Sequence, residues 1–359
     1  MHRVILVVLL VPALAAPAFG AEALEIQFID VEGGASTLIV TPTGQSLLID
    51  AGYGGRGGRG DSGRQGRDPD RIMAAAAAAG IDRIDYLLVT HFHNDHVGGI
   101  PDLASRIPIG TFIDYGEPLG FDRMSNRPFR GYEPVRGQNP HLVPRPGDRL
   151  PLDGIEAHVV SAGGAVLAEP LEGGGSGDIG GAGDINEACV NVEDHPEDGT
   201  ENFRSIGVLF RFGAFRFLVL GDLSGNTLTG LACPRDLLGP VSVYLVAHHG
   251  DYDSNVPALY AALRPRVAVM NNGATKGGSP DAFRTLHALP GLENLWQLHA
   301  SRNPRAVNSP HEFIANVDDE GTTSHSIRLT AFADGSFRIV NPRTGTSRSY
   351  PAQRPVSLP

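Results

Sequence analysis

The stretch Thr90-His91-Phe92-His93-Asn94-Asp95-His96-Val97-Gly98-Gly99 decides how this chain is interpreted. It places three imidazoles and one carboxylate within six residues, directly after the apolar run 84–89, which is typical of a buried strand. Side chains two residues apart in an extended segment point the same way, so His91 and His93 can share one metal ion. Asp95 and His96 follow as the chain turns and can face a second ion. A polar surface loop rich in histidine is the alternative, and the position after a buried strand argues against it.

Short strands and helices surround this loop. Apolar alternation predicts a three-stranded meander before it, and further apolar runs predict later strands. The predicted strands are 24–30, 36–41, 46–50, 84–89, 111–114, 155–161, 203–212, 215–220, 241–247, 267–271, 295–299, 326–332 and 336–340. An alanine-rich helix is expected at 71–79, and Gly98-Gly99 should let the backbone turn tightly into another at 100–105.

The composition is that of a globular protein with long loops. Of 359 residues, 41% are hydrophobic and 19% charged, enough for one large α/β domain or two small ones. The formal net charge of -11 argues against broad electrostatic attraction to nucleic acid or to an anionic membrane. Glycine and proline are frequent, with 46 and 27 residues, and predict long loops such as the acidic, glycine-rich stretch 163–201.

The N-terminus predicts a secretory signal peptide. A basic start at Arg3 precedes the apolar core 4–14, and Ala18-Phe19-Gly20 offers small residues at the positions that define cleavage. The apolar core is shorter than the roughly 20 residues that a membrane-spanning helix needs, which disfavours a permanent anchor. We therefore expect cleavage after Gly20, export to the periplasm or the extracellular space, and no transmembrane segment in the mature chain.

The chain has two cysteines, Cys189 and Cys233, and they do not form a Cys-x-x-Cys pattern. A thiolate zinc site is therefore not expected. In an exported protein the pair can form one disulfide, between the loop before the strand at 203 and the segment after Asp222. Two free buried thiols are the alternative.

The loop from His91 to His96 carries the signature of the metallo-β-lactamase superfamily, which this sequence resembles. It is most similar to the exported competence-protein (ComEC-like) branch, from about residue 24 to residue 275. The matching pieces are Phe28-Ile29-Asp30-Val31, the histidine loop, Arg204 to Leu209, Gly221-Asp222 and His248-His249-Gly250. The resemblance implies an α/β fold, the four-layer αββα metallo-β-lactamase sandwich. It implies one hydrolase domain over 21–341, after the signal peptide 1–20 and before a loosely held tail, 342–359.

The resemblance also implies a site for two divalent metal ions, zinc with manganese as the alternative. The implied ligands are His91, His93, Asp95, His96, Asp222 and His248, with Asp222 bridging the two ions. Asp50 matches an aspartate that braces the metal loop by hydrogen-bonding a histidine. Asp95 and His249 are the implied catalytic residues. Asp95 would accept a proton from the attacking water, and whichever of His248 and His249 is not a ligand would protonate the leaving group.

The sequence departs from the family pattern at two places. Asp251 follows His-His-Gly where that branch commonly has serine. In addition, the β-lactamase and lactonase branches carry another metal histidine between the first loop and Asp222. The candidates are His141, His158 and His195, of which His195 lies near the right point in the chain. We favour Asn202 and Ser205 in that region instead, which would leave one ion held by His91, His93, Asp222 and water.

The substrate is expected to be a small anionic ester. Candidate contacts are Lys276, in a glycine-rich loop that the family places near the site, and the arginines of a tract after Asp50, namely Arg56, Arg59, Arg64 and Arg67. A solvated loop is the alternative for this tract. The segment 117–141, predicted to be irregular and rich in arginine and aromatic residues, is a candidate wall of the site.

These features favour a hydrolase in which metal-bound hydroxide attacks a small phosphoester or phosphodiester. Nucleic acid is a less favoured partner, because the chain is acidic. Hydrolysis of a lactone, a β-lactam or another ester is the alternative activity. A non-catalytic metal-binding protein on the same fold is the alternative from another class.

Overall fold

Two mixed β-sheets form the centre of the fold in the computed structural model, which describes residues 23–54, 66–172, 181–192, 194, 199–317 and 324–353. With strands numbered along the chain, the first sheet contains β1 Leu24–Phe28, β2 Thr37–Val40, β3 Ser46–Ile49, β4 Ile84–Leu88, β5 Ile109–Ile113, β6 His141–Leu142, β15 Ile327–Ala331, β16 Phe337–Asn341 and β17 Thr346–Tyr350. Their order across the sheet is β17-β16-β15-β1-β2-β3-β4-β5-β6. The predicted meander β1-β2-β3 is confirmed, with antiparallel pairing throughout.

The second sheet contains β7 Glu156–Ala162, β8 Ala165–Val166, β9 Gly207–Phe212, β10 Phe215–Val219, β11 Val243–Leu245, β12 Val267–Met270, β13 Asn294–His299 and β14 Ile314–Asn316. Their order is β14-β13-β12-β11-β10-β9-β7-β8. From β10 to β14 neighbouring strands run parallel, so their carboxyl ends lie along one edge of the sheet. Every residue of β11 and β12 is buried, as expected for strands covered on both faces.

The two sheets pack face to face, and helices cover their outer faces. Between the sheets, the rings of Phe28 and Phe217 lie 5.7 Å apart, and those of Phe215 and Phe337 lie 5.5 Å apart. The helices are α1 Arg67–Ala78, α2 Asn94–Val97, α3 Ile100–Leu103, α4 Arg123–Arg136, α5 Gly225–Thr229, α6 Pro257–Leu263 and α7 Pro280–His287. Buried residues of α1, α3 and α4 join the core around the first sheet, and those of α5, α6 and α7 pack on the second. This is the predicted αββα sandwich.

Close backbone approach explains the glycines after the histidine loop. Gly98 and Gly99 have φ angles of -62° and -74°, which any residue can adopt. A Cβ atom on Gly99, however, would lie 2.1 Å from the carbonyl oxygen of Ala51. The predicted tight turn therefore depends on space between two segments rather than on backbone freedom.

The predicted irregular segment 117–141 instead contains α4. Asp122 caps this helix, accepting a hydrogen bond from the amide of Met124 at 2.8 Å. The helix buries Phe129 and Tyr132 against the first sheet. Its two internal prolines, Pro128 and Pro134, hide the helix in the sequence, since proline normally breaks one.

The predicted loosely held tail 342–359 begins too early. Strand β17 pairs with β16 and ends in the buried Tyr350, whose ring stacks on Phe337 with centroids 4.5 Å apart. The polar run Thr346-Ser347-Arg348-Ser349 carries little apolar signal, so the strand was not predicted. Residues 354–359 and the predicted signal peptide 1–20 lie outside the described residues.

Two further features bear on the sequence expectations. Cys189 and Cys233 are joined by a disulfide, with Cα atoms 5.7 Å apart. Among the described residues, the helices are all too short or too polar to cross a membrane.

Candidate metal centre

The centre lies where strands from both sheets end. The histidine loop follows β4 of the first sheet, Asp222 follows β10, and His249 follows β11 of the second. Because β10, β11 and β12 are parallel, the loops at their carboxyl ends meet at one edge. Neither sheet alone supplies the site.

Four buried side chains converge there: Asp95, His96, Asp222 and His249. One ligand atom from each lies within 4.8 Å of all the others. Asp222 Oδ2 is 3.1 Å from His96 Nε2 and 3.3 Å from His249 Nε2. Asp95 Oδ2 is 3.4 Å from each of the same two nitrogens.

His91 and His93 lie beside this group. Their ring centroids are 4.6 Å apart, so the two rings share one side of the centre as the spacing predicts. His91 Nε2 is 3.8 Å from Asp222 Oδ2, is buried, and has no hydrogen-bond partner. His93 Nε2 instead contacts Asp122 Oδ2 at 3.1 Å, which leaves Nδ1 as the nitrogen for a cation.

His249, rather than the expected ligand His248, completes the four-residue group. Both residues have left-handed backbones, with φ of 53° and 47°, so their side chains diverge. The carbonyl of Asn271 lies 3.2 Å from His249 Nδ1 and turns the other nitrogen to the centre. His248 Nδ1 is 2.6 Å from Asp253, and its Nε2 lies 3.7 Å from Asp222.

Asp50 braces the histidine loop as expected. Its Oδ2 is 2.8 Å from His96 Nδ1, and it accepts hydrogen bonds from the amide and the hydroxyl of Thr90 at 2.8 and 2.7 Å. Asp50 is buried and has a φ of 56°, an uncommon value for a non-glycine residue. A carboxylate on the outer nitrogen of a ligand histidine fixes the ring and its tautomer.

Asp122 is a site residue that the sequence interpretation missed. Besides His93, it accepts hydrogen bonds from the hydroxyl of Ser125 at 2.9 Å and the amide of Glu201 at 3.0 Å. The buried Glu201 in turn accepts a hydrogen bond from the hydroxyl of Tyr115. The sequence Asp122-Arg123-Met124-Ser125 resembles a helix start, and this signal could have revealed α4 and its cap.

Asn202 occupies the region where a middle histidine was considered. Its Nδ2 lies 3.5 Å from His248 Nε2. The amide of Asp222 donates a hydrogen bond to the hydroxyl of Ser205 at 3.2 Å, which places Ser205 beside Asp222. His141 pairs with Asp114 at 2.9 Å, and His158 pairs with Glu156 at 3.0 Å. His195 lies outside the described residues.

The charges within the centre shift the pKa values of its groups. Burial would raise the pKa of Asp222, but the imidazoles of His249, His96 and His248 hold it well below its usual range. Burial also opposes ionisation of Asp95, yet the charges of Lys276 and His96 hold its pKa well below normal. These two carboxylates are therefore anions.

The pKa values of the histidines move in opposite directions. Burial and the neighbouring imidazoles keep the pKa of His91 well below normal, so its ring is neutral. Burial would also lower the pKa of His96, but the surrounding carboxylates raise it well above normal. At His248, Asp222 and Asp253 overcome burial and raise the pKa to about 9.

Only part of the predicted substrate-binding set can be placed. Arg56, Arg59 and Arg64 lie outside the described residues. Arg67 begins α1 and forms ion pairs with Glu32 at 2.6 Å and Asp68 at 2.7 Å. Its positive charge is therefore neutralised within the protein. Lys276 reaches the centre, where its ammonium forms an ion pair with Asp95.

The residues present fit divalent metal ions. The donor set contains imidazole nitrogens and carboxylate oxygens, the ligands that zinc and similar ions accept. The unpartnered Nε2 of His91 faces Asp222, and a buried polar atom without a partner is costly unless something binds it. Two buried carboxylates a few ångströms apart likewise call for a positive charge between them.

Comparison with solved structures gives low overall similarity. YhfI from Bacillus subtilis, a metallo-beta-lactamase fold protein, is 11% identical, with 76% of this chain and 96% of that chain covered and a TM-score of 0.41. Igni18 from Ignicoccus hospitalis, a metallo hydrolase, is 13% identical, with 76% and 94% covered and a TM-score of 0.40. CmlA from Streptomyces venezuelae, a diiron beta-hydroxylase, is 17% identical, with 72% of this chain covered and a TM-score of 0.38. This chain spans 46% of the length of CmlA.

Comparison of the sequence alone gives the decisive result. No curated protein matches the chain. Residues 29–270 match the family model of the metallo-beta-lactamase superfamily. That range holds the histidine loop, Asp222 and His249, and it covers well over half of the chain. The chain therefore belongs to the metallo-β-lactamase superfamily.

Proposed function

We propose that this protein is an exported, metal-dependent hydrolase of a small phosphoester or phosphodiester. The observation that carries the proposal is the buried group of Asp95, His96, Asp222 and His249, whose ligand atoms converge within 4.8 Å. His91 and His93 lie beside it with one nitrogen each left for a cation. Burying so many metal-ligand atoms together costs folding free energy unless a cation binds them.

Two ions can be assigned to these residues. His91, His93 and Asp222 would hold one ion, and Asp95, His96, Asp222 and His249 the other, with zinc favoured and manganese as the alternative. Bound divalent ions make water acidic and polarise the ester that is attacked. Asp222 faces both groups of histidines, which suits it to bridge two cations.

Side chains of the protein would carry out the two proton transfers of the reaction. Asp95 is a buried anion of the four-residue group, so it can accept a proton from the attacking water. Asp253 holds Nδ1 of His248 and so directs Nε2 into the site. His248 is then placed to donate a proton to the oxygen of the leaving group. This role passes to His248 because His249 takes a ligand position.

Charge supports a small anionic substrate. The ions, Lys276 and the arginines Arg56, Arg59 and Arg64 would attract an anion locally, while the net charge of -11 would repel a long polyanion. The sequence similarity to the ComEC-like branch and the predicted signal peptide support export. The mass of the mature N-terminus, expected to begin after Gly20, would test the export step.

The proposal is tested by metal analysis combined with a substrate panel. We expect about two zinc or manganese ions per chain, with hydrolysis of nitrophenyl phosphoesters and phosphodiesters. Asp222→Asn should lose most of both metal and activity. The matched control is His158→Gln, which removes a buried histidine paired with a carboxylate outside the centre. His195→Gln should also keep its metal, because we do not assign His195 as a ligand.

Each alternative has its own outcome. Faster hydrolysis of a lactone or β-lactam than of any phosphoester would favour the ester-hydrolase function. Faster cleavage of single-stranded DNA would favour a nuclease. Bound metal without any hydrolysis across the panel would favour a non-catalytic metal-binding protein. A wild-type chain that holds no divalent metal would overturn the proposal.

A further inference from the structure

The ammonium of Lys276 lies among the atoms assigned to one of the ions. Its Nζ contacts Asp95 Oδ2 in an ion pair and lies 3.3 Å from His249 Nε2. Both of these atoms belong to the convergent group of four. The lysine thus places a positive charge where the proposed centre would place a metal ion.

We propose that Lys276 competes with a divalent ion for the side of the centre formed by Asp95 and His249, and so limits how tightly the second ion binds. The inference rests on the proposed function, since it requires that the centre binds metal. An ammonium and a divalent ion repel each other, and the single lone pair of His249 Nε2 can face only one of them. Metal entry at this side therefore requires the ammonium to leave.

The lysine can leave without rebuilding its loop. The backbone around it is fixed by hydrogen bonds from the amide of Gly273 to the carbonyl of Lys276 and from the amide of Gly278 to the carbonyl of His249, both 2.9 Å. Gly277 has a φ of 65°, and a Cβ there would lie 2.2 Å from the carbonyl oxygen of His249. The loop is thus held against the ligand segment.

The side chain itself is mobile enough to move aside. It is 35% exposed, and a flexible stem of four methylene groups separates its ammonium from the fixed backbone. The ring of Tyr53, with its centroid 5.7 Å from Nζ, contacts the ammonium on the other side. A displaced ammonium would remain at the mouth of the centre, available to an anionic substrate.

The opposite side of the centre has no such competitor among the described residues. There, Asp222 forms its ion pairs with histidines and His93 pairs with Asp122, and neither pairs with a lysine or arginine of the described residues. The two ions should therefore bind with unequal affinity, one tightly and the other weakly. Removing the charge of Lys276 should narrow that difference.

The experiment measures zinc binding to the full mature chain. Metal-stripped wild type, Lys276→Met and Lys276→Arg are titrated with Zn²⁺ by calorimetry, and bound zinc is measured after dialysis against buffered free zinc. Methionine keeps a flexible apolar side chain without the charge, whereas arginine keeps the charge. We expect the Kd of the second equivalent to fall at least tenfold in Lys276→Met and to stay within threefold of wild type in Lys276→Arg.

The controls separate this inference from the proposed function. Lys276→Gln gives the same comparison if methionine disturbs folding, which circular dichroism would show. Equal affinity for the second equivalent in wild type, Lys276→Met and Lys276→Gln would overturn the competition while leaving the metal centre intact. If none of these chains binds zinc more tightly than Asp222→Asn does, the metal centre itself fails, and the inference fails with it.

Discussion

At the scale of single residues, each histidine of the centre uses one ring nitrogen for the protein and turns the other inward. The pairs are His96 with Asp50, His93 with Asp122, His248 with Asp253, His249 with the carbonyl of Asn271 and His91 with the hydroxyl of Thr90. The outer partner fixes the orientation of each ring before any cation arrives. The histidine rings of the centre therefore need little rearrangement to bind metal.

His248 has a role that depends on the leaving group. If it donates a proton, His248→Gln should lower kcat about 100-fold for an alkyl phosphoester, whose leaving oxygen must be protonated. The loss should be only a few-fold for a 4-nitrophenyl ester, because nitrophenolate leaves without a proton. Steady-state kinetics on the two substrates measure the contrast, with metal content checked for each chain.

His141→Gln is the control for this prediction. His141 also pairs with a carboxylate, Asp114, but lies on β6 away from the centre. It should leave both rates within about twofold of wild type, the usual size of a surface effect. Equal losses on the two esters in His248→Gln would assign His248 a structural or ligand role instead.

Some residues of the centre can be predicted from the sequence and others cannot. The histidine loop could be identified from its own residues after a buried strand, and Asp222 from the family motif at the end of another strand. The choice between His248 and His249 was not, because it depends on two left-handed backbone conformations and on contacts to Asn271 and Asp253. Asp122 was missed, since its helix was hidden by prolines and its partner His93 lies far away in sequence.

At the scale of elements, the disulfide secures a region with little regular structure. Cys189 lies in the 3-10 helix Glu187–Asn191, and Cys233 lies in the turn that follows α5. The amide of Asn186 also donates to the carbonyl of Pro234 at 3.0 Å. Sequence alone left open whether the thiols were joined, because cysteine spacing says nothing about proximity across a long loop.

Loss of this disulfide should lower stability. The linked positions are 44 residues apart, and the chain-entropy model then gives about 4 kcal/mol of stabilisation. The double variant Cys189→Ser/Cys233→Ser should therefore unfold at a lower urea concentration than oxidised wild type. Reduced wild type is the matched control and should behave like the variant. Alkylation of both thiols in native, unreduced protein would contradict the prediction.

The strands were predicted better than the helices for a physical reason. Buried strands such as β11 and β12 are continuous apolar runs, and β1 and β16 alternate between buried and partly exposed positions. Such patterns result from burial of the strand, so they can be recognised directly in the sequence. Strand β17 has neither pattern, because it lies at the edge of its sheet with three exposed side chains in a row.

At the scale of the whole molecule, Asp30 joins three of the four layers. It follows β1 in the first sheet and lies 2.7 Å from Nε2 of His299, at the end of β13 in the second. Arg71 of the outer helix α1 contacts its other oxygen at 3.2 Å. Burial would raise the pKa of Asp30, but the hydrogen bond from His299 and the charges of His299 and Arg71 lower it.

This lowered pKa predicts how stability responds to acid. The folded-state pKa lies below the unfolded value of about 3.9, so the contribution of Asp30 is fully present above that value. It is lost as pH falls through the folded pKa. Asp30→Asn should thus cost about 3 kcal/mol at pH 7, by removing the carboxylate that Arg71 and His299 contact inside the fold, and progressively less below pH 4.

Urea unfolding of wild type and Asp30→Asn at several pH values measures this difference. Asp82→Asn is the control, since Asp82 is an exposed residue between α1 and β4. Its variant should track wild type at every pH. A gap between wild type and Asp30→Asn that stays constant down to pH 2.5 would contradict the assignment.

The bridge between His96 and Asp222 spans 126 positions of the chain and joins the two sheets. A nascent chain that has been synthesised only as far as β5 contains the histidine loop but does not yet contain Asp222. At the proposed metal centre, a cation would therefore bind only after both sheets have formed. Each tenfold increase in free ion above its Kd would raise the free energy of unfolding by about 1.4 kcal/mol. If the proposed centre holds metal, a chelator would therefore lower the free energy of unfolding as well as block hydrolysis.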